Sequence, residues 1–340
     1  MTEPAATAKP DAEAAKRQRE VVDKLLATAA VVKTGSVTLA SGRRLDYEMH
    51  AGFVPVTRGG VEAQRGEAQA AVMCIAYLAK DAVPRPLCFA FNGGPGSASV
   101  WLHLGALGPK RVPVNDDGSM PPPPYAVQDN PLTWLEHFDL VFIDPPHTGY
   151  SLSVSDEARD KLLSVDGDVE ALAEAIRVWL SRHARFGSAL YLAGESYGTT
   201  RGALIADKLQ SAGVALAGVI LVSCAMDLQS LVFAPGNDLP YALFLPALAN
   251  TAQYHGKLAG PLAASSEAAR SAAEAFVADD YLAALHAGAR LEGAARTRIE
   301  KRVAELTGLP RALVQEKNLR IADTAFFFEL LRERGLIVGR

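Results

Sequence analysis

The residues best suited to chemistry in this 340-residue chain are Gly194-Glu195-Ser196-Tyr197-Gly198. In a Gly-x-Ser-x-Gly segment the serine sits on a sharp turn between a strand and a helix, which exposes its hydroxyl. The flanking glycines let strand and helix approach closely. The amide of Tyr197 then faces the place where an oxyanion would develop, and the helix N-terminus adds favourable partial charge there. Five such residues are common by chance, and an ordinary strand-to-helix turn is the competing reading. The context favours a nucleophile: the apolar run Ala189–Leu192 precedes the segment and a helix-compatible stretch, Thr200–Leu209, follows it.

A second glycine-rich loop, Asn92-Gly93-Gly94-Pro95-Gly96, follows the apolar run Leu87–Phe91. A loop in this place can supply the other oxyanion amide. A phosphate-binding role is disfavoured, because no Lys-Ser/Thr pair follows. A serine hydroxyl is a poor nucleophile without a general base. In an α/β-hydrolase, the fold this elbow suggests, the acid and the histidine follow the serine in that order. Only His255 and His286 follow Ser196, and neither comes after a recognisable strand. Asp227 follows a strand end and is a weak candidate for the acid.

These residues need elements to hold them. Residues 1–12 read as disordered and 13–32 as a helix. Ser36–Leu39, Leu45–Val56 and Ala70–Leu78 read as antiparallel strands, with Gly59-Gly60 between the last two. Leu87–Phe91, Leu140–Ile143, Ala189–Leu192 and Val219–Val222 are short apolar runs of buried strands, with a helix expected over Val165–Arg182. Alternation of strands and helices implies an α/β class: a mainly parallel sheet with helices on both faces. From residue 228 onward the chain turns helical, and Pro121–Pro124 reads as a loop. The expected organisation is an extension (1–35), an α/β core (36–227) and a helical insertion or lid (228–340).

Composition narrows the classes. Hydrophobic residues make up 49%, charged residues 21%, and the net charge is −4, with Lys and Arg scattered, so nothing points to nucleic acid. No apolar run is long enough to span a membrane. The polar start lacks the pattern of a signal peptide, which makes a cytoplasmic location the expectation. The three cysteines, Cys74, Cys88 and Cys224, read as buried thiols in strands, and no metal or cofactor is implied.

Three segments together resemble the serine carboxypeptidase family: Phe91–Ser99, Asp144–Ser151 and Gly194–Gly198. Asn130-Pro131-Leu132-Thr133-Trp134 is similar to that family's Asn-Pro-x-x-Trp segment. The resemblance runs over about residues 87–225. It implies Ser196 as nucleophile and Gly94 and Tyr197 as donors of the oxyanion amides. It also implies Asn92, Gly93 and Glu195 as the groups that hold a peptide's free carboxylate. A glutamate can do that only by sharing a proton, since two carboxylates in contact repel, so acidic pH would be favoured. The chain departs from the family at Ser97 (often Cys), Ala90 (often Trp) and Ala106 (often Glu), so two recognition groups have no match. His103 and His147 fall near the motif loops, where each either shapes the pocket or is a satisfied local polar residue.

The resulting expectation is a serine-type carboxypeptidase acting on peptides with a free C-terminus through an acyl-enzyme. The chain reads as the N-terminal part of a longer, bacterial-type member, with the last sheet strands, the acid and the histidine beyond residue 340. An esterase on the same fold and a non-catalytic binding module remain alternatives. Oligomeric state is not legible.

Overall fold

A computed structural model describes residues 12–57, 66–81 and 84–339. The disordered start expected over 1–12 lies almost entirely outside these residues, and Gly59-Gly60 lies outside them altogether. The chain divides into two compact units, Met1–Met226 and Asp227–Arg340.

The first unit is built on one sheet. After helix α1 (Ala12–Ala27), strands β1 (Val31–Thr38), β2 (Arg44–Thr57) and β3 (Ala68–Ala79) pair antiparallel in sequence order. β1 begins earlier than expected. The Thr28 hydroxyl and amide both turn back to the Lys24 carbonyl and close the helix, and the β-branched pair Val31-Val32 then matches Ala51 and His50 across the ladder.

Four further strands form the parallel part of the sheet. β4 is Leu87–Phe91. The pair β5 (Lys110–Arg111) and β6 (Gln128–Asp129) makes a small separate ribbon that flanks the Pro-rich loop. β7 is Asp139–Ile143, β8 (Leu152–Ser153) pairs with β3, β9 is Leu190–Glu195 and β10 is Gly218–Val222. The order is β1-β2-β3-β7-β4-β9-β10, with β7, β4, β9 and β10 mutually parallel and β3 antiparallel to β7.

Strand periodicity divides the core. Leu87, Phe89 and Phe91 of β4, with Val141, Ile143, Leu190 and Leu192, face the longer helices α4 (Val165–Arg182) and α5 (Tyr197–Ser211). Cys88, Ala90, Leu140, Phe142 and Ala193 face the other way. There they meet short helical pieces: α2 (Val100–Leu102), the turn His103–Leu107 and the turn Trp134–Glu136. A further helix, α3 (Asp156–Leu162), joins α1 over Ala71 and Val154.

The N-terminal ends of the central strands are clamped by charge. Asp139 accepts from Ala79 N–H at 3.0 Å, Arg85 Nε at 3.2 Å and Arg185 Nη1 at 2.8 Å, and it is 3% exposed.

Two expectations about this unit need correction. β10 is half-exposed, not fully buried, because among the described residues it pairs only with β9. Cys224 lies past the end of that strand, after Ser223 turns the chain at φ 51°, and its thiol is exposed; Cys74 and Cys88 are buried in strands.

The second unit is helical: α6 (Leu239–Tyr254), α7 (Ser266–Phe276), α8 (Leu282–Ala287), α9 (Gly293–Thr307), α10 (Arg311–Glu316) and α11 (Asp323–Glu329). Leu245, Phe276, Tyr281, Val303, Val314 and Phe326 lie in its core. Glu300 is buried among them. Its carboxylate accepts from Arg296, Arg311 and Gln315 at 2.8 to 3.3 Å, which joins α9 to α10. No helix among the described residues is long and apolar enough to cross a membrane.

Candidate active site

Ser196 stands between β9 and α5 with φ 58° and ψ −126°, a conformation that residues with a side chain rarely adopt. Its neighbours enforce the turn. A Cβ on Gly194 would lie 2.0 Å from the Gly198 carbonyl oxygen, and one on Gly198 would lie 2.9 Å from the Phe91 carbonyl oxygen. Glycine is therefore required at both positions by close approach of backbone. The Ser196 N–H donates to the Val222 carbonyl at 2.9 Å, and the Thr199 hydroxyl donates to the Ser196 carbonyl at 2.7 Å. Thr199 Oγ1 also accepts from Ala225 N–H at 2.9 Å, which ties the chain after β10 to the start of α5.

The structure brings the two glycine loops together. A Cβ on Gly93 would meet Tyr197 N at 2.5 Å and both Glu195 O and Gly198 N at 2.7 Å, so the loop backbone lies directly against the elbow. Gly94 has φ of 105°. Asn92 is 1% exposed, and both ends of its amide are committed: Nδ2 donates to Glu195 Oε2 at 2.9 Å and Oδ1 accepts from Leu102 N–H at 2.9 Å. All six site residues read from the sequence, Asn92, Gly93, Gly94, Glu195, Ser196 and Tyr197, thus belong to one constellation at the C-terminal ends of β4 and β9.

The third motif segment braces this constellation. Asp144 Oδ1 accepts from Ser99 N–H at 2.9 Å, while the Ser99 hydroxyl donates to the Ile143 carbonyl. The Ser151 hydroxyl donates to the Asp144 carbonyl at 2.8 Å and accepts from Met73 N–H at 2.9 Å. Burial pushes the Asp144 carboxyl upward, opposed by the amide donors from Ser99 and Tyr150. Asn130 also serves as scaffold: its side-chain amide donates to the carbonyls of Ala106 and Gly108, both at 2.8 Å.

The sequence missed one buried pair. Arg201, on α5, donates through Nε to Asp168 of α4 at 2.7 Å and through Nη1 to the Asn92 carbonyl. Its guanidinium lies 5.1 Å from the Tyr197 ring centroid and 5.9 Å from that of Phe91. Burial pushes the Asp168 carboxyl up, and Arg201 opposes that shift. The only signal in the sequence was an arginine on a helix that otherwise turns small and apolar residues inward.

The histidines of the first unit are engaged away from Ser196. His103 Nε2 meets the Tyr77 hydroxyl at 2.7 Å and its ring stacks on Phe142 at 4.5 Å; burial holds its pKa down at about 4. His147 bonds the Ser153 hydroxyl, His50 bonds Glu48, His183 stacks on Trp179, and His137 lies beside Glu136. His103 and His147 are thus satisfied local polar residues. Among the described residues of Met1–Met226 no histidine hydrogen-bonds Ser196. In the second unit His255 ends α6 and His286 lies within α8. The Asp227 carboxylate accepts from Gln229 N–H at 3.0 Å and starts a short turn. No cluster able to hold a metal ion occurs among the described residues.

Known proteins resemble this chain in part of its sequence. The chain is 25% identical over 207 residues to serine carboxypeptidase-like 13 of Arabidopsis thaliana, a match covering 58% of this chain and 44% of that one. It is 30% identical over 160 residues to the pheromone-processing carboxypeptidase KEX1 of Saccharomyces cerevisiae, covering 44% and 21%. A solved structure of the yeast KEX1 carboxypeptidase aligns with TM-score 0.47 and 18% identity over 77% of this chain and 53% of that one. The chain therefore spans less than half the length of the curated relatives it matches. The family model described as serine carboxypeptidase matches residues 43–227, which hold the elbow, the glycine loop and the Asp144 brace, and so the chain belongs to the serine carboxypeptidase family.

Proposed function

We propose that this protein is a serine carboxypeptidase, with Ser196 attacking the last peptide bond to give an acyl-enzyme. The observation that carries this reading is the packing of Gly93 against Tyr197 and Glu195, with Asn92 and Glu195 joined by a 2.9 Å hydrogen bond. It puts a candidate carboxylate-binding group next to a candidate oxyanion hole. The amides of Gly94 and Tyr197 stabilise the tetrahedral oxyanion, and the dipole of α5 assists them. Asn92, the Gly93 amide and Glu195 hold the terminal carboxylate. Binding one carboxylate against another requires a shared proton, so the reaction is favoured at acidic pH.

The general base is not supplied at Ser196 by the described residues of Met1–Met226. A fluorophosphonate, mapped by mass spectrometry, labels Ser196 wherever a working base is present. The discriminating assay pairs peptides with free and amidated C-termini. An exopeptidase cleaves the free acid at least tenfold faster. Equal rates would replace this reading with an esterase or general acyl hydrolase on the same scaffold.

A further inference from the structure

We infer that Arg201 and Asp168 are positioning residues that set the orientation of the Asn92–Gly93 peptide, and through it selectivity for a free carboxylate. The second half of that statement rests on the carboxypeptidase reading; the first does not.

A buried ion pair is weak evidence for stability, because desolvation offsets most of the attraction. This one is almost fully withdrawn from water: Arg201 is 1% exposed and Asp168 7%. Its bonding is directional. Asp168 fixes Nε, which leaves the planar guanidinium aimed at a backbone carbonyl of the glycine loop. In a trans peptide the C=O and the following N–H point in opposite directions. Drawing the Asn92 carbonyl inward onto Arg201 therefore turns the Gly93 N–H outward, toward the side on which a substrate would lie. Arg201 also follows Tyr197 by one helical turn and lies under its ring, so a single cation contacts both loops of the site. No side chain of the pair need touch substrate.

The test uses the full-length protein, wild type and two variants. Asp168→Leu/Arg201→Met removes both charges together, so neither is left unpaired. Arg201→Lys keeps the charge beside Asp168 but loses the planar fork. Two readouts are taken. Hydrogen exchange is followed at the Ser97 and Leu102 amides, which Gly93 O and Asn92 Oδ1 hold at 3.1 and 2.9 Å. Hydrolysis of a free-acid peptide and its amide is measured alongside.

Exchange at both amides is expected to rise at least tenfold in each folded variant, with the amides of β9 unchanged. The preference for the free acid is expected to fall at least tenfold, mainly through KM. Unchanged exchange in either folded variant would overturn the positioning role. Faster exchange with an unchanged preference would overturn its link to selectivity. If the double variant does not fold, the lysine variant decides. A wild-type enzyme without preference for the free acid would sink the carboxypeptidase reading alone, and the exchange result would still judge the pair.

Discussion

Ser196 holds φ of 58°, a conformation that costs a residue with a side chain about 1–3 kcal/mol. Glycine would hold it without that strain. Ser196→Gly is therefore expected to unfold in urea no earlier than Ser196→Ala, and later if strain relief exceeds the added chain entropy, while both variants lose labelling at residue 196. A midpoint for Ser196→Gly clearly below that of Ser196→Ala would show that the backbone is not strained. His103 offers a second test. Its folded pKa of about 4 lies below the ordinary 6.5, so the unfolded chain binds the proton first. Its contribution is intact above pH 6.5 and is lost as pH falls toward 4, by at most about 3 kcal/mol. His103→Gln keeps a partner for Tyr77 and should flatten the fall of the urea midpoint over that window. The elbow was legible in the sequence because its demands are local: two glycines and a serine within five residues. The Arg201–Asp168 pair was not, because nothing in a sequence joins positions 33 apart on two helices.

The two glycine loops work as one element, and Gly93 is where they touch. Gly93→Ala would drive a methyl group to 2.5–2.7 Å from three backbone atoms of residues 195–198. Backbone cannot step aside as a side chain can, so the loop must shift. A loss of about 10² in kcat is expected, comparable to removal of an oxyanion donor, with a stability cost of about 1–3 kcal/mol. Near-normal kcat in Gly93→Ala would mean that the loop takes no part in the chemistry. Strands were legible wherever both faces are buried, since Leu87–Phe91 and Leu140–Ile143 are unbroken apolar runs. β10 has the same look but half its exposure remains, because burial depends on a second neighbour that its own residues do not specify. The early start of β1 was hidden for a similar reason: Val31 and Val32 fit a helix or a strand, and pairing with β2 decides.

At the scale of the molecule, the helical unit has its own electrostatic keystone in Glu300. Burial pushes its carboxyl up, but donors from Gln315, Arg311 and Arg296 outweigh that and hold it below the ordinary glutamate range. Its contribution is therefore present above the ordinary glutamate range and fades as pH falls through the lowered value. Glu300→Ala should cost about 2 kcal/mol, less than a fully buried pair because the arginines are partly exposed, and should speed hydrogen exchange in α9 and α10 with β4 and β9 unaffected. Equal acceleration in the sheet would show that the two units do not open separately.

The Asp139 clamp has a consequence for substitution. It fastens β3, β7 and the segments before β4 and β9 at the ends opposite Ser196, with bonds that owe nothing to the loops carrying the chemistry. Substitutions in those loops can accumulate while the strands beneath stay in register. Register and chemistry are thereby separable: a change at the rim around Ser196 need not be answered by a change at the anchored end.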